Sequence, residues 1–252
     1  MEPLISVNNL KKIFFRNGKA VLTAVDNVSF ALYPGESLGI VGESGSGKST
    51  LAKAIARLTD VTSGSIQVDG RDITSLKGNA LQSVYDNIQM VFQSPAGSFD
   101  PRRTLGDGIG ESLRNRGLSR RETEVRVTKL LNQCGLSAEF AVRYPHEVSG
   151  GQCQRAAIAR AIAIQPKVLI CDEATSALDV TVQKQILDLL RTLQAESGMS
   201  YLFICHDLAL VQQFCNRVLV MYQGKIIEQG TPDAIIQHPQ ETYTKQLVDA
   251  VL

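Results

Sequence analysis

The sequence predicts an α/β fold whose core is a mainly parallel sheet, with an antiparallel β part at the N-terminus and a helical region set into the middle. Three observations carry the prediction. Apolar runs such as "SLGIV", "KVLICD" and "YLFIC" lead directly into helical patterns, which is how parallel strands buried on both faces read. The first third is rich in β runs broken by turn signals. Residues 99–164 carry helical spacing instead.

Taken in order, "LISVNNL" and "VDNVSFALYPGE" read as strands, the second ending in a Pro34-Gly35 turn. "SLGIV" (Ser37 to Val41) is a short apolar strand, and "GSIQVDG" follows the turn signal "TSG". Between them "STLAKAIARL" repeats Leu51, Ala54, Ile55 and Leu58 at helical spacing, which predicts one helix with a continuous apolar face. In the middle, "RRETEVRVTKLLNQCG" reads as a helix stopped by Gly135, and "SGGQCQRAAIARAIAIQ" as one stopped before Pro166. β/α alternation then resumes with "KVLICD" and the amphipathic "TVQKQILDLLRTLQAE", whose Ile186, Leu189, Leu190 and Leu193 share a face. "YLFICHD", "RVLVMYQG" and "KIIEQG" follow, and a closing helix opens at Thr231-Pro232.

The 252 residues are 44% apolar and 20% charged, with a formal net charge of +1. So balanced a charge provides no field that would gather nucleic acid or anionic lipid without local recognition, and no nucleic-acid partner is expected. No window approaches the roughly 20 apolar residues of a bilayer span, so a membrane role means docking onto another polypeptide. The cysteines (Cys134, Cys153, Cys171, Cys205, Cys215) are widely spaced and form no CxxC pair, and "MEPLISVNN" has no export character. A reducing cytosol, with thiols used as small buried hydrophobes, is the expectation.

The stretch "GESGSGKST" (Gly42 to Thr50) stands between a predicted strand and a predicted helix, and Gly42, Gly47, Lys48 and Ser49 fit the phosphate-loop pattern G-x-x-x-x-G-K-[ST]. Glycine allows close backbone approach and unusual dihedrals, so successive N–H groups can wrap a phosphate at a helix N-terminus. Nucleotide binding is therefore assigned to the whole stretch, Glu43, Ser44, Gly45, Ser46 and Thr50 included. Lys48 supplies positive charge to the β/γ-phosphates, and Ser49 a hydroxyl for Mg²⁺. Downstream, "KVLICDE" ends an apolar strand in Asp172, an acid for the metal at the carboxyl end of a parallel sheet, and Glu173 follows, placed to polarise a water. No HxxE, HxH or Cys/His cluster supports a transition-metal site.

"SGGQ" (Ser149 to Gln152), just upstream of the Asp172 strand, resembles the signature of ATP-binding cassette (ABC) ATPases. Other landmarks of that family stand in order: Gln93 in "MVFQSP" as the Q-loop, "SALD" (Ser176 to Asp179) as the D-loop, and His206 in "FICHD" as the switch histidine. The resemblance covers about Ile5 to Leu247. It implies the P-loop ABC-ATPase fold over 1–252, with a RecA-like and β core at 1–98 and 165–252 and a helical subdomain at 99–164. It further implies ATP and Mg²⁺ as cofactors, with Ser49, Gln93 and Asp172 toward the metal, Glu173 as base, and His206 and Lys48 toward the γ-phosphate. Two cassettes would face head to tail, so that Ser149, Gly150, Gly151, Gln152 and Asp179 of one complete the site of the other. Phe14 in "LKKIF" would stack on adenine, with Phe15 as its rival.

Two stretches, "FQSPAGSFDPRRT" and "RYPHEVSGGQ", together with the tail "HPQETYTKQLVDAV", resemble the peptide/nickel (oligopeptide/dipeptide) importer branch. Ser94 stands where that branch has Asp, Phe99 where it has Leu, and Glu241-Thr242 where it has His-Pro. The resemblance implies two transmembrane permease subunits, a second ABC ATPase chain (paralogue or self), and an extracytoplasmic binding protein acting indirectly. The chain would lie on the cytoplasmic face of the membrane and energise uptake of short peptides, nickel or a metal chelate. A cytosolic ABC regulator or scaffold is the competing expectation.

Overall fold

The computed structural model describes residues 2–176 and 178–250. Strands β1 (Ile5–Arg16) and β2 (Lys19–Leu32) form a long hairpin closed by Asn17-Gly18, at φ 51° and 73°. Two consecutive left-handed residues are what a tight two-residue hairpin turn requires, and Asn-Gly is the pair that adopts them at least cost. With β4 (Ser63–Val68) and β5 (Arg71–Asp72) the hairpin makes a four-stranded antiparallel sheet in the order β2-β1-β4-β5.

The second sheet runs β10-β9-β3-β8-β7-β6. Its members are β3 (Ser37–Val41), β6 (Ile88–Val91), β7 (Val168–Asp172), β8 (Ser200–Ile204), β9 (Arg217–Tyr222) and β10 (Lys225–Gly230). All neighbours are parallel except β10, which pairs antiparallel with β9. Every residue of β3, β7 and β8 is buried. The pleat sends alternate side chains into two different cores: Leu38, Ile40, Val168, Ile170, Leu202 and Ile204 face one, while Leu169, Cys171, Tyr201 and Phe203 face the other. The first core also takes the antiparallel sheet and α1 (Lys48–Ile55), and α2 (Gln82–Asn87) lies beside it.

The second core is covered by α3 (Leu105–Asn115), α4 (Arg120–Gln133), α5 (Gly150–Ile162), α6 (Val180–Ser197), α7 (Leu208–Phe214), α8 (Pro232–Gln237) and α9 (Thr242–Asp249). The helices of the middle region therefore share their apolar interior with β7 and β8. Their starts are capped by side chains: Thr104 accepts from the Asp107 N–H, and Ser119 and Glu122 form a reciprocal capping box. All five thiols are buried, and burial pushes Cys134 and Cys171 up to about 12.

Two expected helices end differently. α1 stops at Ile55, because Arg57 takes a left-handed φ of 55° and turns its guanidinium onto the Thr59 carbonyl and the Asp60 carboxylate. Leu58, expected on the helix's apolar face, is consequently 51% exposed. The closing helix is two helices, α8 and α9, parted at His238, which precedes Pro239 and sits at φ −136°, ψ 51°; a residue before proline is disfavoured in the helical region.

Phe99 departs from the importer pattern, and its neighbours explain how it fits. The Arg160 guanidinium lies 4.6 Å from its ring centroid and donates to the Ser98 carbonyl. On the other side Gly108 makes room: a Cβ there would stand 2.6 and 2.8 Å from two ring carbons. Gly108→Ala is expected to destabilise the chain by about 1–3 kcal/mol through overpacking. In Phe99→Leu the same substitution is expected to cost little, a coupling that a double-mutant cycle in urea measures.

Candidate functional site

The carboxyl ends of the parallel strands bring the loop after β3, the acids ending β7, His206 after β8 and Gln93 after β6 to one edge of the sheet. The loop is pressed against the rest of the chain at two glycines. Gly42 has φ 151° and a Cβ there would fall 2.1 Å from the Met221 carbonyl oxygen; Gly47 has φ 107° and its Cβ would fall 2.1 Å from that of Ala24. Neither position admits a side chain. Gly45, at φ 84°, faces open space with no atom within 4 Å of its added Cβ. The cradle is thus closed behind and open in front, and α1 begins at Lys48 with its first-turn N–H groups free of intrahelical partners.

Lys48 is buried and its ammonium donates to the carbonyls of Gly42 (2.6 Å) and Glu43 (2.7 Å). Burial pushes its pKa down, and the nearby Glu173 and Asp172 carboxylates oppose that shift. The Ser49 hydroxyl donates to Asp172 Oδ1 at 2.7 Å, joining the loop to the end of β7. Burial pushes the Asp172 carboxyl up, opposed by that hydrogen bond and by the charge of Lys53. Gln93 donates its side-chain amide to Glu173 Oε2 at 2.7 Å. Gln93, expected toward the metal with Ser49 and Asp172, stands at the same edge with its amide N–H on Glu173.

Glu173 has a left-handed backbone, φ 49°, held by its N–H on the Ile204 carbonyl (3.0 Å) and by Ser176 on its own carbonyl. Such a conformation costs a non-glycine residue about 1–3 kcal/mol and directs the side chain away from the strand's line. His206 is exposed just beyond β8, and the adjoining Asp207 caps α7 by accepting from the N–H groups of Ala209 and Leu210.

The remaining expected residues lie elsewhere. Ser149 and Gln152 form a capping box at the start of α5, and Asp179 caps α6 through the Val182 N–H. Ala177, in the expected D-loop, lies outside the described residues. Among the described residues no hydrogen bond joins Ser149, Gly150, Gly151 or Gln152 to the loop. Phe14 (41% exposed) and Phe15 (58%) sit near the tip of the β1–β2 hairpin, with the Lys12 ammonium 4.9 Å from the Phe14 ring centroid. Two groups that steady the loop were absent from the sequence reading: the Gly224 N–H, donating to the Ser46 carbonyl at 2.9 Å, and the Tyr243 hydroxyl, accepting from the Glu43 N–H at 2.8 Å.

These donors suit a nucleotide and a hard cation. Ser49 and Asp172 offer oxygen ligands of the kind Mg²⁺ takes together with substrate phosphates. Among the described residues no group of three or more His, Cys, Asp or Glu could hold a metal by itself, so any ion here would depend on the phosphates. The family model for ABC transporters matches residues 25–176, more than half of the chain.

The chain belongs to the ABC transporter family.

This ABC transporter chain is 49% identical, over 99% of its length, to the glutathione import ATP-binding protein GsiA of Pectobacterium atrosepticum and to its namesake in Escherichia coli O157:H7. It spans about two fifths (41%) of the length of those curated relatives. Its fold is that of ABC ATPase cassettes. The ATP-binding cassette MJ0796, solved as a dimer in a post-hydrolysis state bound to ADP and Pi, superposes with a TM-score of 0.83 at 29% identity, covering 90% of this chain and 98% of that one. The cassette cbiO1 of Clostridium perfringens, part of the transporter complex cbiONQ, gives 0.83 at 28% identity, covering 94% and 92%. No helix among the described residues is long and apolar enough to cross a membrane.

Proposed function

We propose that this chain binds and hydrolyses ATP as the nucleotide-binding subunit of an ABC importer for short peptides. It would lie on the cytoplasmic face of the membrane beside two permease chains and a second cassette. The observation that carries the catalytic part is the convergence of Lys48, the Ser49–Asp172 pair and the Gln93–Glu173 pair on one sheet edge beside an open glycine cradle. The relatives named for glutathione import support the cargo class.

When bound, ATP supplies the anhydride bond and Mg²⁺ neutralises charge on its phosphates. The chain's own residues position and polarise. Lys48, released from the Gly42 and Glu43 carbonyls, places its charge on the terminal phosphates. Ser49 and Asp172 would hold the ion, and Gln93 reaches the same edge. A carboxylate oxygen of Glu173 takes the proton of the attacking water, while His206 contacts the γ-phosphate. Gly150 supports a site shared between cassettes. Among the described residues a Cβ there would meet Leu178 alone, at an ordinary 3.7 Å, which leaves room at the start of α5 for a group of the partner cassette. The start of α5 then offers its N–H groups and dipole to a phosphate held by the partner cassette.

In this reading a permease helix would dock beside the Gln93 segment. A cavity of about 400 Å³ lined by Leu58, Tyr85, Phe92, Glu111 and Arg160 opens between the sheet edge and α3, where closure of the site would be felt. Phe14 is the adenine platform in this reading. Phe14→Ala is expected to raise the Kd for ATP about tenfold, as loss of one base-stacking ring does, with Phe15→Ala within twofold of wild type; equilibrium titration distinguishes them.

The function is tested by deleting this chain in its own cells and following uptake of labelled glutathione and of di- and tripeptides. Loss of uptake, restored by the wild-type chain but not by Glu173→Gln, is the expected result. Unchanged uptake of every short peptide would overturn the importer reading.

A further inference from the structure

The turn Glu43 to Ser46, which forms the front of the phosphate loop, closes on itself through the Ser46 N–H and the Glu43 carbonyl at 3.2 Å. Two of its backbone groups are taken by the last thirty residues of the described chain. The Ser46 carbonyl accepts from the Gly224 N–H, and the Glu43 N–H donates to the Tyr243 hydroxyl at 2.8 Å. These two contacts support each other, because the ring of Tyr222, two residues before Gly224, lies 4.2 Å from that of Tyr243, centroid to centroid.

Tyr243 is itself fixed. It is 9% exposed and packs into the same core as Leu247 and Val248. The start of α9 is tied to β10 by the Glu228 carboxylate, which accepts from the N–H groups of Gln240 (2.9 Å) and Glu241 (3.2 Å). Burial pushes the Tyr243 hydroxyl pKa up, so it remains a neutral phenol at physiological pH. A loop whose remaining amides must converge on one phosphate pays an ordering cost on binding unless the chain holds it ready. We infer that Tyr243 is a positioning residue of the ATP site: its hydroxyl holds the Glu43 amide, keeps the phosphate cradle formed and so sets nucleotide affinity from the C-terminal helix. The inference rests on the loop being the ATP site.

Tyr243→Phe removes the hydroxyl and keeps the ring on Tyr222, and Tyr222→Phe removes a hydroxyl that, among the described residues, accepts from the Gln223 side chain alone. The Kd of a fluorescent (mant) ATP is measured for both variants and for wild type, with thermal unfolding in the absence of nucleotide and hydrogen exchange of the Glu43 amide. Tyr243→Phe is expected to weaken binding three- to tenfold, to speed Glu43 exchange at least tenfold, and to leave the unfolding temperature within about 2 °C, in keeping with one neutral hydrogen bond. Tyr222→Phe is expected to change none of these. An indifferent Tyr243→Phe, in a chain whose wild type binds mant-ATP, overturns the inference alone, as does accelerated exchange spread evenly through β3 and α1. A wild type that binds no nucleotide overturns the ATP reading and the inference with it.

Discussion

Glu173→Gln is expected to lower ATP turnover at least a hundredfold while ATP still binds. The substitution keeps the shape of the side chain and an oxygen for the Gln93 amide, which now donates 2.7 Å from Glu173 Oε2. It removes the one thing an amide cannot do, which is accept the proton of the attacking water. General-base catalysis contributes about 10²–10⁴-fold. Binding does not suffer, because the cradle is made by the loop and not by this carboxylate. The closed, ATP-holding arrangement of two cassettes should therefore accumulate. Steady-state phosphate release together with filter-bound nucleotide checks both halves, and near-normal turnover would remove Glu173 from the base role.

Lys48→Met is expected to separate binding from folding. In the structure the ammonium is buried on two backbone carbonyls, at 2.6 and 2.7 Å. Those hydrogen bonds and the attraction of the nearby Glu173 and Asp172 carboxylates offset a desolvation penalty of several kcal/mol for a buried ion. The two nearly cancel, and methionine fills the same volume, so thermal stability should stay within a few degrees. The affinity for ATP should nevertheless fall at least a hundredfold, about 2.7 kcal/mol, because no other side chain of the loop brings a positive charge to the phosphates. Titration calorimetry and a melting curve on the same preparation distinguish this outcome from simple misfolding, which would lower both.

What could be read in the sequence was local. The loop, Asp172 with Glu173, "SGGQ" and His206 are short patterns whose residue types state their chemistry. The buried parallel strands announced themselves as apolar runs entering helices. The Asn17-Gly18 dipeptide, a strong turn signal between β-rich runs, carried no assignment above, and only the structure gives it the hairpin. What was not legible depends on partners far along the chain. Gly42 must lack a side chain because the Met221 carbonyl from β9 stands there, and the early end of α1 depends on where the Arg57 guanidinium finds Asp60. Tyr243 reads in the sequence as one more aromatic in a tail helix, and only its approach to Glu43 across 200 residues gives it a role at the site.

The most direct measurement isolates the tagged chain at native level from membranes extracted in mild detergent after incubation with Mg-ATP and vanadate, then quantifies its companions and retained nucleotide. The expected companions are two membrane-spanning chains and a second cassette that is either a paralogue or another copy, with ADP trapped in stoichiometric amount. A chain recovered with cytosolic companions alone and no trapped nucleotide would contradict it.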